Sequence, residues 1–158
     1  MSIDPRALRD SLGLFATGVC LVSVRDAGGV PHAITVNSFA SVSLDPPLVL
    51  WSLQNNSEVY SLYSDAQDYA IAVLSSEQAT LSSLYATKGE HVLDDAHYDI
   101  GENGAPIIRG ALVNFECSLE QALPGGDHRI LLGRVSRIVP GEPALPLLFF
   151  SGGYRQLA

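Results

Sequence analysis

Toward the C-terminal end, two β-prone runs flank a turn: IIRGALVNFECSLEQAL (107–123), then PGGDH (124–128), then RILLGRVSRIV (129–139). Val, Ile, Leu and Phe recur through both runs, and a Pro-Gly-Gly-Asp cluster between such runs is turn chemistry. The pattern predicts a long strand, able to bend at Gly110, that pairs back as an antiparallel hairpin. A two-stranded ribbon is marginal by itself in water, so the rest of the chain has to supply partner strands.

Four further stretches qualify: VCLVSV (19–24), the segment from 32 to 44, LVLWSL (48–53) and DYAIAVLS (68–75). Helices are few and short. Asp4 is a good N-cap with Pro5 at the first helical position. Leu8, Leu12 and Phe15 fall on one face of that helix, which Gly18 can end. Asn56 or Ser57 can cap a second short helix, with Glu58 in its first turn. SEQATLSSLYA (76–86) reads as a third, with Leu81, Leu84 and Tyr85 facing inward. Residues 87 to 106, rich in Gly, Asp and His, form a long connection of a kind that is often functional. PLLFFSGGYRQL ends the chain with a short strand and a tail. About six or seven strands joined by tight turns, with two helix-bearing crossings, indicate a mainly β barrel or sandwich. The 158 residues fit one domain, 1–158, and no internal repeat divides it.

Composition excludes several classes of function. Nine Lys and Arg face seventeen Asp and Glu, a formal charge of -8, and no basic cluster occurs. Phosphate-backbone binding needs such a cluster, so nucleic acid is not an expected partner. A phosphate-bearing ligand would have to be held by local groups. Only 16% of residues are charged, which points to surface covered by a partner and hence to an oligomer. Cys20 and Cys117 sit in apolar runs and read as buried thiols. The early charges of MSIDPRALRD argue against a signal peptide, and no apolar run approaches about 18 residues, so the expectation is a cytoplasmic protein with no membrane span.

The motifs of several enzyme classes are missing. There is no G-x-S-x-G elbow, no H-E-x-x-H or C-x-x-C spacing, no Rossmann glycine fingerprint and no P-loop. His91, Asp94, Asp95 and His97 crowd together in HVLDDAHYD, but such a run is ordinarily a solvated loop, and no metal is expected. What stands out is HAITVNSFASVSLDPP (32–47). Ile34, Val36, Phe39, Val42 and Leu44 could fill a core, yet Thr35, Asn37, Ser38, Ser41 and Ser43 are threaded between them. Alternation breaks at Asn37-Ser38, where a strand would bend and expose its backbone. Small polar side chains there would let a flat ligand approach. A Ser/Thr-rich solvent face of a sheet accounts for the pattern equally well.

Four segments, in order, resemble the flavin reductase-like family, the FMN-binding split barrel. They are FATGVCLVSV (15–24), AITVNSFASVSLDPPLVLWSL (33–53), GDHRILLGRV (126–135) and PLLFFSGGYRQL (146–157). The resemblance covers nearly the whole chain. It implies a six-stranded antiparallel Greek-key split barrel with short helical additions, in a homodimer with flavin near the subunit interface. It implies hydride transfer from NADH or NADPH to FMN or FAD, often to supply reduced flavin to a separate oxygenase component of a two-component monooxygenase. By position, Thr35, Val36, Asn37 and Ser38 would meet the flavin ring and ribityl chain, with Ser41, Val42 and Ser43 lining the same side. Asn56 and Ser57 would receive the phosphate at a helix start, and Lys88 would add charge. His128 would be the catalytic-site histidine beside the nicotinamide, and Tyr154 and Arg155 would close over the ligands. The segment NNSEVY departs from the family by carrying no basic residue and adding Glu58. A flavin-binding electron-transfer or sensor protein without reductase turnover is the alternative on the same barrel.

Overall fold

A computed structural model describes residues 2–158. In chain order the first half contains α1 (Pro5–Leu12), β1 (Thr17–Gly18), β2 (Cys20–Arg25), β3 (Pro31–Val36), β4 (Ala40–Leu44), β5 (Pro47–Gln54), α2 (Tyr60–Ser64) and β6 (Asp68–Val73). The second half contains α3 (Ala79–Ala86), β7 (Tyr98–Ile100), β8 (Pro106–Ile108), β9 (Val113–Gly125), β10 (His128–Pro140), β11 (Leu148–Phe150) and β12 (Gly153–Arg155).

The expected hairpin organises the whole. β9 and β10, of thirteen residues each, pair antiparallel around the two-residue turn Gly126-Asp127. Gly126 has φ +69°, as the first central residue of a II′ hairpin turn requires. The longer run expected from 107 to 123 is divided, not merely bent. Gly110, at φ +80°, separates β8 from β9, and β8 pairs with β7 instead.

Seven strands form the main sheet in the order β3-β2-β6-β9-β10-β5-β4, one more than the six expected. The extra strand comes from the polar segment, which is two strands and not one. β3 and β4 lie at opposite edges of the sheet, yet only residues 37–39 join them. Four Cα steps span at most about 14 Å, so the sheet has to curl until its edges meet. The result is a barrel closed by chain continuity and left unpaired along one seam. The break falls at Asn37-Ser38-Phe39, where alternation fails.

Strand burial follows from this curl. β2 is buried on both faces, which is why VCLVSV reads as a continuous apolar run. Cys20, Val22 and Val24 point into the interior with Ile34, Trp51, Leu53, Tyr63, Tyr69, Ile71 and Leu131. Val19 and Leu21 point outward, against Tyr85 of α3, Leu93, Ile108 and Leu147. Both thiols are free and buried, and burial pushes each up to about 12.

Four local expectations are corrected. Val42 and Leu44 are not core: β4 is an edge strand with a register shift between Ser41 and Ser43, and Leu44 is 96% exposed. The first helix ends at Leu12 with Gly13 as its cap, while Gly18 belongs to β1; Asp4 does cap it, accepting from Arg6 N–H. Its apolar face, Leu8, Leu12 and Phe15, is exposed. In α3, Tyr85 is buried but Leu84 is 39% exposed, and Ser82 occupies the inward position instead. No helix among the described residues is long and apolar enough to cross a membrane.

Candidate functional site

At the open seam lies a groove of about 320 Å³. One wall is the chain leaving β3, Thr35-Val36-Asn37-Ser38; the opposite wall is the end of β5, Ser52-Leu53-Gln54. Ser57, the α3 residues Tyr85 and Ala86, His91, and His128 from the hairpin tip complete it. A smaller cavity of about 230 Å³ shares Thr35, Val36, Asn37 and Ala86 and is closed by Val19, Phe149 and Tyr154. Within the sheet β3 pairs only with β2; residues 91–93 bridge the start of its outer edge, Ala33 N–H bonding to the His91 carbonyl and Leu93 N–H to the Pro31 carbonyl, so the edge is open beside the groove only from Thr35 onward.

Several polar side chains here are occupied in holding the walls. Thr35 Oγ1 donates to the Ser82 carbonyl at 2.6 Å, tying β3 to α3. Ser38 Oγ accepts Ser52 N–H at 2.9 Å, a bond across the seam that the sheet itself does not make. Ser82 Oγ and Tyr154 Oη are 2.6 Å apart, which ties the C-terminal β-hairpin to the same helix. The Asn37 amide makes none of the hydrogen bonds of the described residues and is exposed at the bend. His128 Nδ1 lies 2.6 Å from Asp127 Oδ1, so its Nε2 is the nitrogen left for a ligand.

Of the residues expected at the site, Thr35, Val36, Asn37, Ser38, Ser57, His128 and Tyr154 come together around the two cavities. Ser41, Val42 and Ser43 lie on edge strand β4 and line neither. Asn56, Lys88 and Arg155 are exposed and also line neither; the Arg155 guanidinium donates to the Tyr154 carbonyl. The helix expected to begin at Asn56 or Ser57 begins only at Tyr60 and has five residues, with Val59 in the cap position. Ser57 instead lies in the turn before that helix, its Oγ accepting Val59 N–H at 3.3 Å and its carbonyl accepting Tyr60 N–H at 3.1 Å.

Gln54, Tyr85 and His91 belong to the groove without having been expected in it. For Gln54 a signal existed, since LVLWSLQ alternates and puts Ser52 and Gln54 opposite buried Trp51 and Leu53. Tyr85 reads as core, and it is buried, but it also lines the groove, and its Oη bonds to His97 Nδ1 at 2.8 Å. Among the described residues no group of three or more His, Cys, Asp or Glu side chains is placed to hold a metal ion.

The residues suit a flavin-sized ligand. The volume falls at the lower end of the roughly 300–1,000 Å³ of small-molecule sites. The lining mixes small polar groups with unpaired strand edge, as a flat heterocycle with donors and acceptors along one side requires. Fold and groove together define a split barrel with an open groove at the seam.

Comparison with known proteins agrees. Residues 12–158 match the flavin reductase like domain family. An FMN reductase (NADH) of Agrobacterium fabrum is 45% identical over 152 residues, covering 95% of this chain and 84% of that protein. Among solved structures, the flavin reductase component of a bacterial two-component tryptophan halogenase is 36% identical, with TM-score 0.89 and 98% of both chains covered. The NADH:FAD oxidoreductase of Streptomyces globisporus is 34% identical, with TM-score 0.90, covering 100% of this chain and 97% of that one. The chain belongs to the flavin reductase-like family.

Proposed function

We infer that the seam groove is where this chain holds a flavin and presents it to a nicotinamide dinucleotide. The chain is an NAD(P)H:flavin oxidoreductase, and its flavin is FMN or FAD with NADH as co-substrate. The observation that carries the placement is the groove itself, where Thr35 to Ser38 from the seam, Ser57 and His128 from three separate stretches converge. A bound flavin supplies the hydride-accepting ring; the protein aligns the reactants.

The residues divide that task. Small side chains at Asn37 and Ser38 let a ring lie close to the strand edge, whose free N–H and C=O groups can pair with it. Asn37 is the side chain free to add a hydrogen bond, because Thr35 and Ser38 are committed to Ser82 and Ser52. The Ser57 hydroxyl proton is free to donate to a phosphate oxygen, since its oxygen only accepts. Asp127 orients the His128 ring, leaving Nε2 for the nicotinamide side.

The exposed apolar faces support a homodimer. Leu8, Leu12 and Phe15 of the α1 segment and Val42 and Leu44 of β4 are uncovered in one chain. A second copy on β4 would bring Ser41 and Ser43 toward a groove. Reduced flavin would pass to a separate oxygenase-type component, as the likeness to a two-component halogenase reductase suggests.

The deciding experiment mixes purified protein with NADH and FMN and follows absorbance at 340 nm. Oxidation above background is expected. None with FMN, FAD or riboflavin, using NADH or NADPH, overturns the reading. Sedimentation at micromolar concentration should give a dimer; a monomer overturns that part alone.

A further inference from the structure

Ser57 and His91 line the same groove, and between their segments stands an ion pair. Glu58, next to Ser57, accepts the Gly89 N–H and lies 2.6 Å from His91 Nε2 through Oε1. His91 Nδ1 lies 3.3 Å from the Ala33 carbonyl oxygen, and the His91 carbonyl accepts Ala33 N–H at 2.8 Å. The His91 side chain is 13% exposed and fixed by strand β3 on one side and by the turn before α2 on the other. A carbonyl and a carboxylate thus face the two ring nitrogens. A neutral imidazole has one N–H, so only the ring protonated on both nitrogens donates to both acceptors. The Gly89 N–H, the His91 side chain and the charge of Lys88 all hold the Glu58 carboxyl below the usual carboxylate range, so it stays ionised.

Glu58 stands in NNSEVY, which carries no Lys or Arg, and the basic groups near it, His91 and Lys88, come from the segment after α3. We propose that Glu58 and His91 together set how this enzyme discriminates phosphorylated from unphosphorylated flavins, the protonated form of His91 being the cation that lets the Ser57 end of the groove accept a phosphate and Glu58 the anion that limits how strongly it does. The proposal rests on the flavin reading of the groove. Its physical content is a balance of opposite charges at one end of a site on an acidic protein. Removing either partner unbalances it, in opposite directions.

That sign difference provides the test. The ratio of kcat/KM for FMN to kcat/KM for riboflavin is measured with NADH at low salt in wild type, His91→Gln, Glu58→Gln and His91→Lys. A unit charge several ångströms from a phosphate at a partly solvated site changes affinity by about five- to tenfold. His91→Gln is therefore expected to lower the ratio about five- to tenfold, and Glu58→Gln to raise it by a similar factor. Gln at 58 can still accept the Gly89 N–H, so the turn survives. His91→Lys, which restores the cation, should return the ratio to within about twofold of wild type, and the contrast should shrink as salt rises.

If Glu58 and His91 serve only as a latch joining two segments, both Gln variants break the same contact and move the ratio in the same direction or not at all; either result overturns the proposal. Should His91→Gln fold poorly, Glu58→Gln and His91→Lys still decide it: an unchanged or lowered ratio in Glu58→Gln refutes it. Wild-type protein that oxidises no NADH with either FMN or riboflavin overturns the functional reading instead, a failure visible before any variant is made.

Discussion

Gly133→Ala tests the packing that gives the barrel its interior. Gly133 lies on β10 at a register shift, and the buried Tyr69 of β6 lays its phenol across it. A Cβ on Gly133 would overlap the Tyr69 hydroxyl oxygen and lie 3.1 Å from Cζ and 3.4 Å from Cys117 Cβ. Neither neighbour yields easily. Tyr69 is 1% exposed with Trp51 edge-on at a centroid distance of 6.3 Å, and Cys117 is wholly buried. Overpacking of this kind costs about 1–3 kcal/mol, and the buried neighbours put this site at the upper end, about 2–3 kcal/mol. For a domain of this size that lowers Tm by roughly 4–12 °C. The Tyr69 hydroxyl is buried with no hydrogen-bond partner among the described residues, so Tyr69→Phe alone should change stability by less than about 1 kcal/mol. Combined with Gly133→Ala it should recover part of the loss, because the worst overlap is with the oxygen while the ring contact remains. Urea denaturation of the four proteins gives the coupling between the sites. Gly133→Ala at wild-type stability, or additive effects in the double variant, would refute the claim that the two residues share one space.

Three further outcomes follow from the same structure. Glu116 is fully buried, accepting Asn103 N–H at 2.8 Å and bonded to Arg137 at 2.7 Å; Glu116→Gln should cost about 1–3 kcal/mol in urea and loosen residues 101–105 in hydrogen exchange. Asn37→Leu should weaken flavin binding, read by flavin fluorescence quenching, far more than it lowers Tm, whereas Ser38→Leu should lower both because Ser38 Oγ holds Ser52 N–H. Arg109 holds the Asp99 carboxyl, and Arg134 the Glu120 carboxyl, below the usual carboxylate range. Their stabilisation is complete above the unfolded carboxylate pKa of about 4 and is lost as pH falls through the lower folded values, so Tm should drop in acid with a shallower slope in Glu120→Gln.

Much of this was legible along the chain. The Gly126-Asp127 turn, the Asp4 cap and the β run VCLVSV depend on neighbours within a few residues, and local sterics and hydrogen bonding suffice to place them. The misreadings share a cause. Val42, Leu44, Leu8 and Phe15 look like core because they are apolar, but burial depends on what covers a residue, and nothing in one chain covers these. The second helix was expected too early because Glu58, a good first-turn residue, is drawn across to Gly89 and His91, partners some thirty positions away.

The sequence by itself determined the strands, the turns and the bend at Asn37-Ser38, along with a family resemblance that named the chemistry. Its pattern alone could not decide whether the polar stretch was a solvent face or a ligand wall, since both need the same small side chains, and only the resemblance favoured the ligand. Tertiary structure adds the groove on which the ligand reading rests. Residues 37–39 are too short to let the two edge strands part, so the sheet curls and leaves a seam beside them. Only that closure brings Thr35, Ser57, His91 and His128 to one groove. Contacts between residues so distant along the chain arise from how edges meet in space, which no local pattern encodes.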